Sequence, residues 1–368
     1  MAAEKKIPDM TKRLKKEAEK LIAWFQREKK DYPWRKDTDP YHVWISEIML
    51  QQTRTETVAE YYKRFTEAFP DIHSLAAADE ESVLKLWEGL GYYSRARNLH
   101  RCARIIAQER QGRFPEEAAE LIKLPGIGQY TAGAIASIAF RRPASAVDGN
   151  ILRILARFNN DERDILLPAV KKEACKGLDS CLKEIKEPGL FNEALMELGE
   201  RICTPSGRPR CRYCPLQDAC LALKEGTQED LPLRGKNGPR RIEKKTVLML
   251  ICRGRAALIK RPEKGLLGGL YAFPMLDGHV ILSDLTPWLA SYNQPFGKPQ
   301  PLKEASHIFT HVEWHMKGWR VETQEELPGY IYAGPDEIEG RYAIPTAFKA
   351  YREIFLQEFE YGKMDFTQ

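Results

Sequence analysis

Apolar positions in the first part of the chain recur at helical spacing. Leu14, Ala18, Leu21, Ile22 and Phe25 form one stripe, opposed by a Lys/Arg face. Tyr32-Pro33-Trp34-Arg35 breaks that pattern. It resumes from Tyr41 to Phe69, carrying Glu47 and interrupted by the polar Gln51-Gln52-Thr53. Asp79 predicts an N-cap with Glu80 and Glu81 in the first turn, and the helix runs through Leu84 and Trp87 to stop at Gly89 and Gly91. Ser94 opens the next helix, and Pro115 stands where a first helical position should be. Stripes follow at Ile151, Ile154, Leu155 and Phe158, and at Phe191, Ala194, Leu195 and Leu198. The pattern from Met1 to about Leu223 predicts an all-helical domain, 1–223.

The character then changes. Residues 224–245 are charged, punctuated by Gly and Pro and without periodicity, which reads as a linker. Thr246 to Cys252 and Ala256 to Lys260 read as strands around an Arg253-Gly254-Arg255 turn. Further strands are predicted near Ser306–Phe309, Val312–Val321 and Tyr330–Ala333, with helices near Leu282–Tyr292 and Thr346–Phe359. The fold class is therefore multidomain, an all-α domain followed by a separate α+β domain at 246–368. No internal repeat and no low-complexity tract is present.

One turn in the helical half is chemically distinctive. In Leu124-Pro-Gly-Ile-Gly-Gln-Tyr-Thr131, the residues Pro125, Gly126 and Gly128 end one helix, and the run from Thr131 to Phe140 starts another. This is a helix-hairpin-helix signature, centred on about 120–140. Glycines lacking Cβ let backbone N–H groups approach an anion at the start of the second helix, and a DNA phosphate suits that position. An ordinary glycine turn between packed helices is the rival reading. Tyr130 and Asp148 bracket the second helix, where both can face one cleft.

At 368 residues the chain is long for one core. A formal charge of +5 permits nucleic-acid binding without demanding it. The N-terminal Lys5-Lys6 and Lys12-Arg13-x-Lys15-Lys16 are basic but lack the apolar core of a signal peptide. No apolar run reaches the roughly 18 residues of a membrane helix, so no membrane association and a cytoplasmic protein are expected. Eight cysteines in such a compartment are not expected to pair as disulfides. Cys102, Cys175, Cys181 and Cys252 are scattered among helical or strand-like patterns and read as small buried hydrophobes. No oligomerisation motif is visible, and a monomer is the expectation.

Three sets of residues carry candidate chemistry. Glu47 has Val43, Trp44, Leu50 and Gln51 as helical neighbours, a mostly apolar setting that raises a carboxyl pKa and suits a general acid. A solvated surface glutamate is the alternative. Asp148 directly precedes a helical stripe; an N-cap role alone explains its position, and the helix dipole would hold it ionised. An ionised Asp with a protonatable Glu is what glycosidic bond cleavage asks for. Third, Cys203, Cys211, Cys214 and Cys220 crowd into one segment, enough for a four-iron four-sulfur cluster or a tetrahedral zinc. Zinc ribbons usually pair two Cys-x-x-Cys knuckles and only one is present, which favours iron–sulfur. Arg201, Arg208, Arg210 and Arg212 interleave with the cysteines, as a DNA-facing loop would require.

Together the hairpin turn, Asp148 and the four cysteines resemble the endonuclease III superfamily of DNA base-excision glycosylases. Within it the chain resembles the adenine DNA glycosylase (MutY) branch. Glu47 stands in Trp44-Ile-Ser-Glu-Ile-Met-Leu-Gln-Gln-Thr53, similar to that branch's general-acid motif, and Tyr130 stands where bifunctional relatives carry a Schiff-base lysine. The resemblance implies a monofunctional enzyme that removes adenine mispaired with 8-oxoguanine or guanine in duplex DNA, with one 4Fe-4S cluster on the four cysteines. Glu47 would protonate adenine N7, and Asp148 would stabilise or capture the oxocarbenium ion. Tyr130 and Asn150 would support them. Gln52 and Thr53, with Leu90 and Tyr92 of Glu88-Gly-Leu-Gly-Tyr-Tyr93, resemble the wedge that fills the gap left by a flipped base. Arg35, Gly126 and Gly128 complete the DNA-contacting set. Core packing is the alternative for Leu90 and Tyr92. One residue more than the family's usual spacing separates Cys203 from Cys211, an insertion that loop-closure cost tolerates. The implied setting is the bacterial cytoplasm, at the nucleoid.

The second domain resembles the Nudix-like lesion-recognition domain of that branch, through Gly265-Leu-Leu-Gly-Gly-Leu-Tyr-Ala-Phe-Pro274 and His307-Ile-Phe-Thr-His311. Phe309-Thr310-His311 occupies the place of the family's Phe-Ser-His probe of 8-oxoguanine, Thr keeping the hydroxyl. Residues Gly278 to Tyr292 lack the glutamate-rich pattern with which catalytic Nudix hydrolases hold Mg²⁺, so a reader rather than a hydrolase is expected. His307, His311 and His315 would share a face only on an uninterrupted strand, where they could bind metal. Two rival functions remain at this point: a bifunctional pyrimidine-lesion glycosylase/lyase, which would want a lysine at Tyr130, and a non-catalytic iron–sulfur DNA-binding protein.

Overall fold

The computed structural model describes residues 11–205, 207–235 and 238–364, with side chains to 358. Lys5 and Lys6 lie outside the described residues. The chain divides into two compact units, one formed by Met1–Ala77 with Asn98–Lys236, the other by Ala78–Arg97 with Asn237–Gln368.

Helices run in the order α1 (Lys12–Lys16), α2 (Ala18–Glu28), α3 (Pro40–Leu50), α4 (Thr55–Ala68), α5 (Ile72–Ala77), α6 (Glu80–Leu86) and α7 (Ser94–Glu109). They continue with α8 (Ala118–Leu121), α9 (Gln129–Ile138), α10 (Gly149–Asn159), α11 (Pro168–Leu182), α12 (Pro188–Arg201) and α13 (Leu221–Glu225). Local chemistry explains several boundaries. Asp39 caps α3 through the Tyr41 N–H at 2.8 Å, with Pro40 at the first position. Asp79 caps α6 as predicted, accepting from the Ser82 N–H at 2.8 Å. Pro115 does not start a helix: α8 begins three residues later, with Glu117 at its N-cap. Helix α11 has no counterpart in the sequence reading. Its buried face holds Val170, Ala174, Cys175, Leu178, Cys181 and Leu182, so Cys175 and Cys181 are the buried hydrophobes expected. Cys102 and Cys252 are buried likewise.

A core of α2, α10, α11 and α12 side chains, among them Phe25, Ile151, Phe158, Leu178, Phe191 and Leu195, fixes the helices that flank Asp148 and the cysteine segment. Helix α3 is buried on nearly all sides, from Tyr41 to Met49, which is why it shows no clean stripe.

In the second unit the strands are β1 (Arg241–Cys252), β2 (Arg255–Lys260), β3 (Tyr271–Ala272), β4 (Met275–Asp277), β5 (Gln300–Ile308), β6 (Val312–Glu322) and β7 (Ile331–Ala333). The sheet order is β3-β2-β1-β6-β5, with β4 also on β1 and β7 on β2; β1 and β6 run parallel. Arg253 and Gly254 both have positive φ (49° and 77°) and join Cys252 to Arg255, the two-residue turn that matches strand twist. β1 starts at Arg241 rather than Thr246, because the polar Arg241–Lys245 pair with Val312–Met316. Alternation then sends Val247, Met249 and Ile251 to one face, under Phe348, Tyr351 and Phe355, and Leu248, Leu250 and Cys252 to the other, under Leu285 and Leu289. Those covering residues come from α16 (Lys349–Met364), its preceding turn and α14 (Leu282–Ala290); α15 (Pro335–Gly340) lies between them in sequence. The expected multidomain class, a helical part and a mixed α+β part, is what the chain adopts, although Ala78–Arg97, with α6, clusters with the second unit rather than with the helical one.

Candidate active site

A cavity of about 560 Å³ opens among the helices of the first unit, and Glu47, Tyr130, Asp148 and Asn150 all line it. Three elements bring them there: Glu47 comes from α3, Tyr130 from the first turn of α9, and Asp148 and Asn150 from the N-cap and first turn of α10. Glu47 is 6% exposed, and its Oε2 is buried with no hydrogen-bond partner among the described residues. Burial pushes its carboxyl up to about 7; the Tyr130 hydroxyl opposes this, and the charges of Glu193 and Asp148 add to it. Tyr130 is itself held well above its usual value by burial and by the two carboxylates, and its hydroxyl donates to Met196 Sδ at 3.6 Å.

Asp148 caps α10, accepting from the Ile151 N–H at 2.8 Å and from Asn150 Nδ2 at 2.8 Å. Its pKa is nevertheless raised, contrary to the expectation of a dipole-held ionised group. Burial outweighs the Ile151 and Asn150 N–H groups and the Arg153 charge that favour the carboxylate. Asn150 is in turn fixed by Arg153, whose NH2 donates to Asn150 Oδ1 (2.9 Å) and Gly199 O (2.8 Å) while Nε donates to Cys203 O (2.7 Å). A continuous hydrogen-bonded path thus runs from Asp148 to the first cysteine.

Two other sequence candidates change meaning. Arg35 is not a free DNA contact: NH2 donates to Glu197 at 2.9 Å, Nε lies 3.4 Å from Glu193, and the guanidinium packs over Phe25 and Tyr32. It is a wall of the cavity. Leu90, 6% exposed, is packed inside rather than presented as a wedge, whereas Tyr92 is 48% exposed. The two glycines beside Leu90 shape the turn without turning the Leu outward. Gln52 is exposed with φ 58°, and Thr53 lines the cavity. Glu193, Met196 and Arg153 are site residues that the sequence reading missed. Arg153 did carry a signal, a charged residue inside the apolar run Ile151–Phe158, all of which is buried.

The hairpin turn joins α8 to α9. Gly126 has φ +75°, and a Cβ there would meet Asn98 Cβ at 2.6 Å, so both backbone and space require glycine. Gly128 differs: it has an ordinary φ, serves as the N-cap of α9, and a Cβ would meet nothing within 4 Å. The N–H groups of the first turn of α9 have no side-chain cap.

Cys203, Cys211, Cys214 and Cys220 line one small cavity of about 30 Å³ with Arg157 and Gln228. Among the described residues no three His, Cys, Asp or Glu are gathered as a single-ion site. The thiols do sense one another: burial and the neighbouring cysteines push Cys211, Cys214 and Cys220 up, Cys214 to about 12. Arg157 NH1 donates to Cys203 Sγ at 3.3 Å. Of the interleaved arginines, Arg201 is drawn inward to Glu197 (3.1 Å), while Arg208 pairs with exposed Glu229 and Arg212 lies over Tyr213.

In the second unit Phe309, Thr310 and His311 form the tip between β5 and β6. The turn puts His307 on β5 and His315 on β6, so the three histidines do not share a strand face. Phe309 packs on His307 (4.6 Å) and Trp314 (4.9 Å). A cavity of about 540 Å³ is lined by Tyr92, Arg97, Leu267, Phe309, Thr310 and His311 among others. There the Tyr92 and Thr310 hydroxyls meet at 3.4 Å, joining two candidates far apart in sequence.

Residues 45–178 match the model of the HhH-GPD superfamily base excision DNA repair proteins, and 246–353 that of the NUDIX domain. An adenine DNA glycosylase of Rattus norvegicus is 34% identical over 91% of this chain and 77% of its own length. One from Buchnera aphidicola subsp. Baizongia pistaciae is 36% identical over 79% of this chain and 82% of its own. The chain belongs to the adenine DNA glycosylase family. The resemblance drawn from the motifs is therefore borne out, as is the helical and Nudix-like organisation. Members of this family are DNA glycosylases, hydrolases of N-glycosyl bonds. A solved thermostable thymine-DNA glycosylase shares 26% identity with a TM-score of 0.51, covering 58% of this chain and 98% of that one. No described helix is long and apolar enough to cross a membrane.

Proposed function

We propose that this protein is a monofunctional glycosylase that excises adenine from A:8-oxoguanine and A:guanine mispairs in duplex DNA. The observation that carries this reading is Glu47, a buried carboxyl with an unpartnered oxygen and a pKa near 7, facing the cavity that Asp148 also lines. Adenine enters that cavity flipped out of the duplex, since its glycosidic bond is inaccessible in the stack. Glu47 gives its proton to adenine N7. The C1′–N9 bond then breaks, its electron pair leaves with the base, and an oxocarbenium ion remains. Asp148 stabilises or captures that cation, and water adds at C1′ with loss of a proton to a carboxylate, leaving an abasic site. Tyr130 and Asn150 orient the two carboxylates. Glu193 and Arg35, paired with each other at 3.4 Å, line the same cavity as a polar wall beside the flipped base. Tyr130 is no Schiff-base nucleophile, which argues against a lyase step.

The four cysteines fit a 4Fe-4S cluster. The four side chains line one cavity, and burial together with the neighbouring cysteines disfavours the thiolates of Cys211, Cys214 and Cys220, which calls for a cationic partner. Bound there, the cluster would cross-link the loop that Arg153 ties to Asn150. Phe309-Thr310-His311 reads the base opposite adenine, with Tyr92 as the exposed wedge. We read the protein as a monomer acting in the cytoplasm at the nucleoid.

Single-turnover base release tests this function, using one duplex with adenine opposite 8-oxoguanine and another with an oxidised pyrimidine. Adenine release, with strand cleavage only after alkali, is expected. Release from the pyrimidine duplex alone, or from neither, refutes it.

A further inference from the structure

Gln228 has no part in that chemistry, yet it faces the cysteines. It lines the small cavity that Cys203, Cys211, Cys214 and Cys220 share, and its Oε1 is buried with no hydrogen-bond partner among the described residues. A buried amide oxygen without a donor is costly, so native chains rarely leave one. The side chain is not there by slack. Gly226 ends α13 in the left-handed region (φ 75°), and the Thr227 N–H returns to Ala222 O at 2.9 Å. Thr227 Oγ1 bonds Asn160 Oδ1 at 2.5 Å, and Arg157 Nε donates to Leu231 O at 2.8 Å. Both sides of Gln228 are thus pinned, and Arg157 ties the same segment to Cys203 Sγ.

Thiolate and sulfide are acceptors, so an amide beside them is satisfied by presenting its NH2 and not its oxygen. The two ends of the amide are isosteric, and a half-turn exchanges them.

We propose that the Gln228 amide donates a hydrogen bond to a sulfur of the cluster held by Cys203, Cys211, Cys214 and Cys220, and so raises its reduction potential. This rests on the iron–sulfur reading above. A donor to sulfur stabilises the more negative, reduced state of the cluster. Arg157 is a first donor, at Cys203; Gln228 adds a second from the opposite segment.

The test is the reduction potential of the full-length protein by film voltammetry, with iron, sulfide and visible absorption measured on the same samples. Gln228→Leu keeps the bulk and removes the donor. It should shift the oxidised-to-reduced ratio about tenfold toward oxidised at a fixed potential, a midpoint lower by about 59 mV for a one-electron couple. Ferricyanide should bleach that variant faster. Gln228→Lys keeps a donor and adds positive charge, and should move the midpoint upward. A Leu variant with full iron and sulfide and an unchanged midpoint overturns the proposal, as does a Lys variant with a lowered one. Wild-type protein without iron and sulfide overturns the cluster reading itself, and this proposal with it.

Discussion

Replacing Glu47 by Gln separates chemistry from stability, because the two should move in opposite directions. The carboxyl is held at about 7 against its ordinary 4.5, with burial the main cause. Each decade of proton affinity is worth about 1.4 kcal/mol, so the ionised form in the folded protein is disfavoured by roughly 3 kcal/mol. A raised folded pKa contributes stability fully present below the unfolded value near 4.5 and lost as pH rises through about 7. At pH 8 the wild type therefore lacks that stabilisation, while a neutral amide of the same shape does not depend on it. Glu47→Gln should be more stable than wild type at pH 8, by up to roughly 3 kcal/mol, and the gap should close as pH falls toward 4.5. Catalysis should go the other way. Loss of a general acid costs about 10²–10⁴-fold, and the wild-type single-turnover rate should fall above pH 7 by about tenfold per unit. Urea titrations at several pH values give the first quantity and quenched base-release assays the second. A variant no more stable than wild type at pH 8, or a wild-type rate flat between pH 6 and 9, would refute the assignment of Glu47 as a buried, protonated acid.

Other expectations follow from the same geometry. Tyr130→Phe removes the hydroxyl that draws the Glu47 pKa down, so the alkaline limb of the rate profile should move to higher pH; a limb moved to lower pH would contradict it. Arg153→Met strips three hydrogen bonds, to Asn150, Gly199 and Cys203. Leaving those buried acceptors without a donor should cost about 1–3 kcal/mol in urea unfolding, together with loss of excision; wild-type stability would show the path from Asp148 to Cys203 to be incidental. Thr310→Ala should reduce the preference for 8-oxoguanine over guanine opposite adenine about fivefold, the worth of one hydrogen bond, read from paired single-turnover rates. Gly254→Val puts a β-branched residue at φ 77° and should lower stability by about 1 kcal/mol or more; an unchanged Tm would argue against the tight turn.

Much of this protein is written locally. Asp39 and Asp79 as caps, the Arg253-Gly254 turn, the glycine hairpin before α9 and the clustered cysteines depend on a few consecutive residues, and those residues specify them. The burial of Glu47 was legible too, because its apolar neighbours on one helix already implied it. Contacts between distant segments were not legible. The sequence could not tell that Leu90 turns inward beside two glycines, that Arg35 is spent on Glu193 and Glu197, or that α11 exists. The start of β1 was invisible because polar Arg241–Lys245 become a strand only through pairing with β6. Asp148 shows the division most sharply. Its position as N-cap follows from the residues beside it, but the sign of its pKa shift follows from how much of the chain closes over it, and burial is a sum over the whole fold.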